Sequence, residues 1–300
     1  MLRLFTDDQV RKNDIDTLKR WLRPKLGGYT VAIKDLGSEN IFYRGVSWGE
    51  RPNSVSDVSY PPVAHAKLNR ANRDGQPMFY ASRGAPPVLF ELRARTGDHI
   101  ALSEWAVTEP IWMHNLGFHQ DALLKLGGTN VPLRSQFIQP IPGESKSNLR
   151  MRRLLSLAFT ADASGSREYR YKLSVAIHEL FFDKAEPLPI RPGGPRTGRV
   201  AGTAYPAVQM KGVADNVAIW PEFVDSCLAI RSVRYIKIEK ADEALSSYTL
   251  LNLAIARTFK DGNIEWQDAS GPEHLRRSRI AYEDGSWVSR DGTGHIYDMH

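Results

Sequence analysis

Asn69-Arg70-Ala71-Asn72-Arg73-Asp74-Gly75-Gln76-Pro77-Met78-Phe79-Tyr80-Ala81-Ser82, followed after Arg83 and a Gly84-Ala85-Pro86-Pro87 turn by Val88-Leu89-Phe90-Glu91, is the stretch on which the reading of this chain turns. A basic, Asn-containing segment turns at Asp74-Gly75, enters a short apolar strand carrying Tyr80, and passes into a helix with a Glu among apolar neighbours. A carboxylate flanked by Val88, Leu89, Phe90 and Leu92 is expected to be partly desolvated, which a protein tolerates only when a cation or donor meets it. Arg44, in the strand-like Ile41-Phe42-Tyr43-Arg44-Gly45-Val46, is one candidate partner. From spacing alone, a structural Arg–Glu pair or an ordinary half-exposed helix Glu is the better account.

Outward from this stretch, residues 7–23 predict an amphipathic helix with Val10, Ile15, Leu18, Trp21 and Leu22 at helical spacing, a Thr6 cap and a stop at Pro24. Strands are expected at Tyr29–Ile33 and Ile41–Tyr43, separated by Gly37-Ser38-Glu39-Asn40. Pro61 to Asn72 predicts a helix with Pro in its first turn. Asp98–Trp105 predicts a strand continuing through Ile111-Trp112-Met113. Leu116–Pro142 predicts loop or insertion, residues from about Asn148 to Thr160 and 166–182 predict helices, and Arg191–Arg199 a turn-rich connector. Val233–Glu239 alternates cleanly and predicts a half-buried strand, with a less regular one at Tyr248–Leu253. The tail beyond Asp261-Gly262, rich in Gly, Asp, Arg and Trp, yields no role.

Composition bounds the function classes. With 300 residues, 42% hydrophobic and 25% charged, the chain can bury one large core or two smaller ones. No apolar run reaches the roughly 20 residues that span a bilayer, and the first residues lack a signal-peptide core, so a cytoplasmic location is expected. A single cysteine, Cys227, excludes an intramolecular disulfide and a multi-thiolate metal site. The net charge of +6 comes from 40 basic residues interspersed with 34 acidic ones. That balance suits a phosphate-bearing small ligand or an acidic partner at least as well as nucleic acid, and no direct nucleic-acid binding is expected. His178-Glu179 lacks a second His at position 182, and His114 and His119 show no third ligand, so no metal site is expected. Gly193–Val200 has the glycine spacing of a phosphate loop but Arg199 and Val200 where Lys and Ser or Thr belong.

Tyr43-Arg44-Gly45, Asn69-Arg70-Ala71-Asn72 with Asp74-Gly75, Phe79-Tyr80-Ala81-Ser82 and Glu91 together resemble the RES domain, named for its Arg, Glu and Ser. Gly202-Thr203-Ala204-Tyr205-Pro206-Ala207-Val208 with Ala214-Asp215-Asn216-Val217-Ala218 is similar to the segment carrying the family's Ser, and here Ala207 stands at that position. The resemblance implies an α/β (α+β) fold: an ADP-ribosyltransferase-like mixed sheet in a single domain over 1–300. An N-terminal helix at 1–28, a helical insertion at about 115–195 and a C-terminal extension at about 242–300 would elaborate it. It implies a toxin of a toxin–antitoxin pair, blocked by an Xre-type antitoxin, that takes NAD⁺ as substrate and depletes it; a homo-oligomer is compatible with this.

Such chemistry needs the diphosphate held, the nicotinamide bent toward departure and the oxocarbenium charge on the ribose stabilised; nicotinamide is already a cationic leaving group. Arg44 and Arg70 suit the diphosphate. Tyr80 or Tyr43 can stack on nicotinamide or donate to a ribose oxygen, and Glu91 can accept from ribose hydroxyls beside the developing cation. Arg44, Tyr80, Glu91 and position 207 are thus the catalytic candidates, with Tyr43, Arg70, Asn72 and Asn216 as substrate-binding ones. Ala207 leaves three explanations open: a deliberate inactivating substitution, a natural variant compensated by Thr203, Tyr205 or Gln209, or a paralogue without activity. Two alternatives remain beside NAD⁺ cleavage: ADP-ribosylation of a protein, and a non-catalytic binding module.

Overall fold

A computed structural model describes residues 4–27, 29, 31–126, 144–182, 200–210, 214–242, 247–283, 286–291 and 296–298. The single helix expected over 7–23 is two, α1 (Asp7–Lys12) and α2 (Ile15–Leu22). Asp14 breaks it: its carboxylate accepts from the Thr17 N–H at 2.7 Å and caps α2, a better local partner than helix continuation offers. β1 (Ala32–Leu36) begins three residues later than expected, and β2 (Ile41–Ser47) runs on through Arg44 and Gly45. The helix expected from Pro61 to Asn72 does not form; Val63–His65 makes one 3₁₀ turn and irregular chain follows. Polar side chains take over the backbone there, Asp74 accepting from the Leu68 N–H and the Asn72 amide donating to the Lys67, Arg73 and Gln76 carbonyls.

β3 (Phe79–Ser82) leads into α3 (Ala85–Glu91), whose first turn holds Pro86 and Pro87. The strand expected over 98–113 is two, β4 (His99–Val107) and β5 (Ile111–Asn115), parted at Thr108-Glu109-Pro110. Of the expected helical insertion, α4 (Gln120–Lys125), α5 (Lys146–Phe159) and α6 (Tyr171–Phe181) are described. The connector at 191–199 lies outside the described residues. β6 (Val200–Pro206), β7 (Asp215–Ile219), α7 (Pro221–Cys227), β8 (Leu228–Asp242) and β9 (Ser247–Lys260) follow. The tail is not featureless: it forms β10 (Asn263–Asp268), α8 (Glu273–Arg276), β11 (Arg277–Glu283), β12 (Ser286–Asp291) and β13 (Ile296–Asp298). The chain is an α/β protein with both parallel and antiparallel strand pairing.

Two compact units share these elements, each built from three separated segments. The first takes Met1–Gly37, Pro61–Phe79 and Glu109–Cys227. Its strands run in the order β1-β5-β6-β7, with β5 and β6 parallel and the other pairs antiparallel. Leu18 and Leu22 of α2, Phe159 of α5 and Val175, Ala176 and Ile177 of α6 are buried with Met113 and Ala201 from the sheet. An ion-pair hub fastens the helices: Arg73 grips both Glu179 of α6 and Asp16 of α2, and Lys19 reaches Glu179 at 2.9 Å. Glu179 thus serves packing rather than the metal chemistry its His178 neighbour hints at.

The second unit takes Ser38–Tyr60, Tyr80–Thr108 and Leu228–His300. Its antiparallel order is β3-β2-β4-β8-β9-β11-β12-β13, with β10 on the flank of β9. Period-two alternation gives the sheet two apolar faces. Ile100, Ile236 and Leu250 pack with Leu89 of α3 on one; Ala101, Val233 and Ala256 pack with Val58 and Ile264 on the other. Gly45 seats α3 on the sheet, since a Cβ there would lie 2.4 Å from Val88 Cγ1 and 2.8 Å from Leu92 Cδ1.

Candidate functional site

Each unit gathers its own share of the candidate residues. In the second unit, β2 presents Tyr43 and Arg44 to opposite faces. Tyr43 shares the face of Gly45, the one α3 covers; Arg44 takes the other. There Arg44 Nε donates to the Ser59 carbonyl at 2.7 Å and Nη1 to the Tyr80 carbonyl at 2.9 Å. Burial lowers its pKa to about 10, so it keeps its charge at neutral pH. Arg44 and Tyr80 are therefore brought together, with the arginine fixing the tyrosine's main chain.

Glu91 departs from expectation. α3 buries Ala85 through Leu89, whereas Glu91 in its last turn is exposed, so the carboxylate is not desolvated. The apolar flank that suggested burial belongs to the other side of a short helix. Arg44 spends its Nε and Nη1 on main-chain carbonyls, on the side of β2 away from the one that α3 covers.

On the α3 side, Tyr43 sits directly across from Glu104 of β4. Burial raises the Tyr43 phenol, Glu104 adds to the rise, and Arg234 and Arg231 oppose it. Neither Glu104 nor Arg234 was singled out from the sequence, yet a signal exists. In the alternating Val233–Glu239 run, Arg234 falls in step with Ile236 and Ile238, a charge on the apolar side of a strand.

In the first unit, Arg70 is buried, and its Nη1 donates to the Phe159 carbonyl at the end of α5. Its guanidinium lies 5.4 Å from the Tyr171 ring centroid and 5.7 Å from that of Tyr205. Tyr205 pairs with Asn216 across the β6–β7 hairpin, and Ala207, fully buried, closes the hairpin by donating its N–H to the Ala214 carbonyl at 2.8 Å. Arg70, Asn216 and Ala207 are thus grouped around Tyr205. Asn72 stands apart as the organiser of the 67–76 turn. Asn72→Ala should cost roughly 2 kcal/mol, since three part-buried carbonyls lose their donor at once; urea denaturation checks this, and an unchanged midpoint would deny the turn its importance.

The histidines weighed as ligands have other work. His119 Nδ1 accepts from the Asp121 N–H at 3.2 Å and caps α4. His114 and His178 are buried among Phe181, Phe182 and Trp220, with His178 Nδ1 2.8 Å from Thr203 Oγ1. Among the described residues no cluster of three or more His, Cys, Asp or Glu could hold a metal ion, and no helix is long and apolar enough to cross a membrane.

No family model, curated protein or solved structure compared with the chain matches it.

Proposed function

We propose that this protein binds NAD⁺ and breaks its nicotinamide–ribose bond, as the RES-type motifs imply, passing ADP-ribose to water or phosphate. One observation carries the reading. Motif segments distant in sequence close on one another, Tyr43 pairing with Ser82 and Gly45 admitting the helix that ends on Glu91. In this reading Arg44 is a positioning residue, holding the Tyr80 main chain rather than gripping phosphate, and Tyr80 meets the nicotinamide–ribose unit. Glu91, exposed at the end of α3, accepts from ribose hydroxyls in this reading. An Xre-type antitoxin and a cytoplasmic site of action belong to the same proposal.

A second reading, a module that binds without turnover, is favoured by the buried methyl of Ala207 and by main-chain carbonyls occupying donors of both Arg44 and Arg70. Incubation with NAD⁺ and measurement of free nicotinamide separates the two. We expect release by the chain or by its Ala207→Ser variant, lost by roughly a hundredfold in Glu91→Gln. No release from either protein, or full activity in Glu91→Gln, would overturn the enzymatic reading or the carboxylate's role in it. Label transfer from NAD⁺ to protein would instead mark an ADP-ribosyltransferase.

A further inference from the structure

The sheet of the second unit carries a cluster of arginines, one of which, Arg234, has no hydrogen bond or ion pair among the described residues. β8 sets Arg234 opposite Leu102 of β4 and Ile255 of β9. Two residues earlier on β8, Ser232 lies opposite Glu104. A bulge between Glu104 and Trp105 leaves Arg231 as the extra residue of β8, and a bulge re-aims a side chain in this way. Arg231 then reaches the Glu104 carboxylate at 3.8 Å, and Ser232 Oγ donates to it at 3.5 Å. Arg257 of β9 is near enough to Arg234 for the two charges to repel.

Arg234 is half-buried, and among the described residues it makes no hydrogen bond or ion pair. Burial lowers its pKa, and Tyr43 and Glu104 only partly offset this. A guanidinium removed from water, beside a second one and lacking a bonded acceptor, is costly unless an anion completes it. Glu104 supplies one negative charge against three arginines, and its nearest cation is Arg231. Tyr43, across from Glu104, borders the cluster from β2 with a phenol able to donate to an oxyanion.

We propose that Arg234, with Arg231, Arg257 and Tyr43, forms a binding site for a phosphate or diphosphate group. Guanidinium forks match phosphate oxygens with paired, charge-assisted donors, and three such groups on neighbouring strand positions suit a diphosphate better than a carboxylate. The site shares Tyr43 with the enzymatic reading but does not rest on NAD⁺ cleavage.

Pyrophosphate titrated into the full chain, followed by calorimetry at low salt, tests it. We expect saturable binding that weakens at least roughly tenfold in Arg234→Gln and several-fold in Arg257→Gln. Glu104→Gln should tighten binding, because the competing negative charge is gone. Lys237→Gln, on the opposite side of β8, should change nothing. Absence of binding, or equal affinity in a folded Arg234→Gln, would overturn the proposal. Should Arg234→Gln fail to fold, the exposed Arg257→Gln and the opposite sign of Glu104→Gln decide in its place. Parallel titrations with AMP and NAD⁺ tell a free anion from one borne by a nucleotide. Pyrophosphate binding without nicotinamide release would leave this site standing and remove the enzymatic reading; release with unaltered turnover in Arg234→Gln and no pyrophosphate binding would do the reverse.

Discussion

Gly202→Ala is expected to be the most damaging glycine-to-alanine change among the described residues. A Cβ at this position of β6 would stand 1.9 Å from the Ala218 carbonyl oxygen and 2.9 Å from both Ala218 C and Ile219 Cα. All three are main-chain atoms of the paired strand β7, so no side-chain rotation relieves the clash. Overpacking against yielding side chains costs about 1–3 kcal/mol, and a collision with fixed backbone should reach or exceed that upper figure. Gly45→Ala supplies the softer case, because it meets Val88 Cγ1 and Leu92 Cδ1, which α3 can carry aside. Gly49→Ala, with nothing within 4 Å, is the control. Urea midpoints should rank Gly49→Ala above Gly45→Ala above Gly202→Ala. A Gly202→Ala protein as stable as the parent would mean that β6 and β7 are not paired as described.

The second large effect is a loss of stability on mild acidification. Burial pushes His114 and His178 down to about 3, and for His178 the neighbouring His114 adds to the shift. Between the ordinary histidine value of 6.5 and about 3, the unfolded chain binds protons that the folded chain refuses. Stability is therefore full above 6.5 and falls as pH drops through that range. At pH 5 each histidine should account for a loss of about 2 kcal/mol. Carboxylates behave differently. Arg73 holds Asp16 below its ordinary 3.8; burial would raise Glu179, but Arg73 and Lys19 hold it below its ordinary 4.5, so both lose their contribution only in stronger acid. Denaturation midpoints from pH 7 to 5 should slope downward, and His178→Gln or His114→Gln should flatten the slope by about half. A level profile over that interval would mean that the imidazoles are not held neutral.

Local signals with a single interpretation were legible in the sequence. The period of Val233–Glu239 predicts β8, Thr6 predicts the start of α1, and the Pro-Pro turn followed by an apolar run predicts α3. Signals went astray where a polar side chain outcompeted the pattern around it. Asp14 splits one expected helix into two, and Asn72 converts another into an irregular turn held by its side-chain amide. The site was legible as residue types in motifs, but not as directions. Whether Arg44 faces the helix or the opposite side depends on β2 register, and whether Glu91 is buried depends on which side of a seven-residue helix meets the sheet. Arg234 could have been noticed as a charge in phase with isoleucines, yet its want of a bonded partner emerges only when β4 and β9 flank it.

The interleaving of the two units bears on how the nascent polypeptide matures on the ribosome. Strands β2 and β4 are translated early, but the edge of β4 stays uncovered until β8 emerges more than a hundred residues later. Closure over so long a separation is entropically slow, and an apolar ribbon left open meanwhile is a template for mispairing. Chaperone protection of that ribbon during synthesis would shield the interval in which the β4 edge has no partner strand.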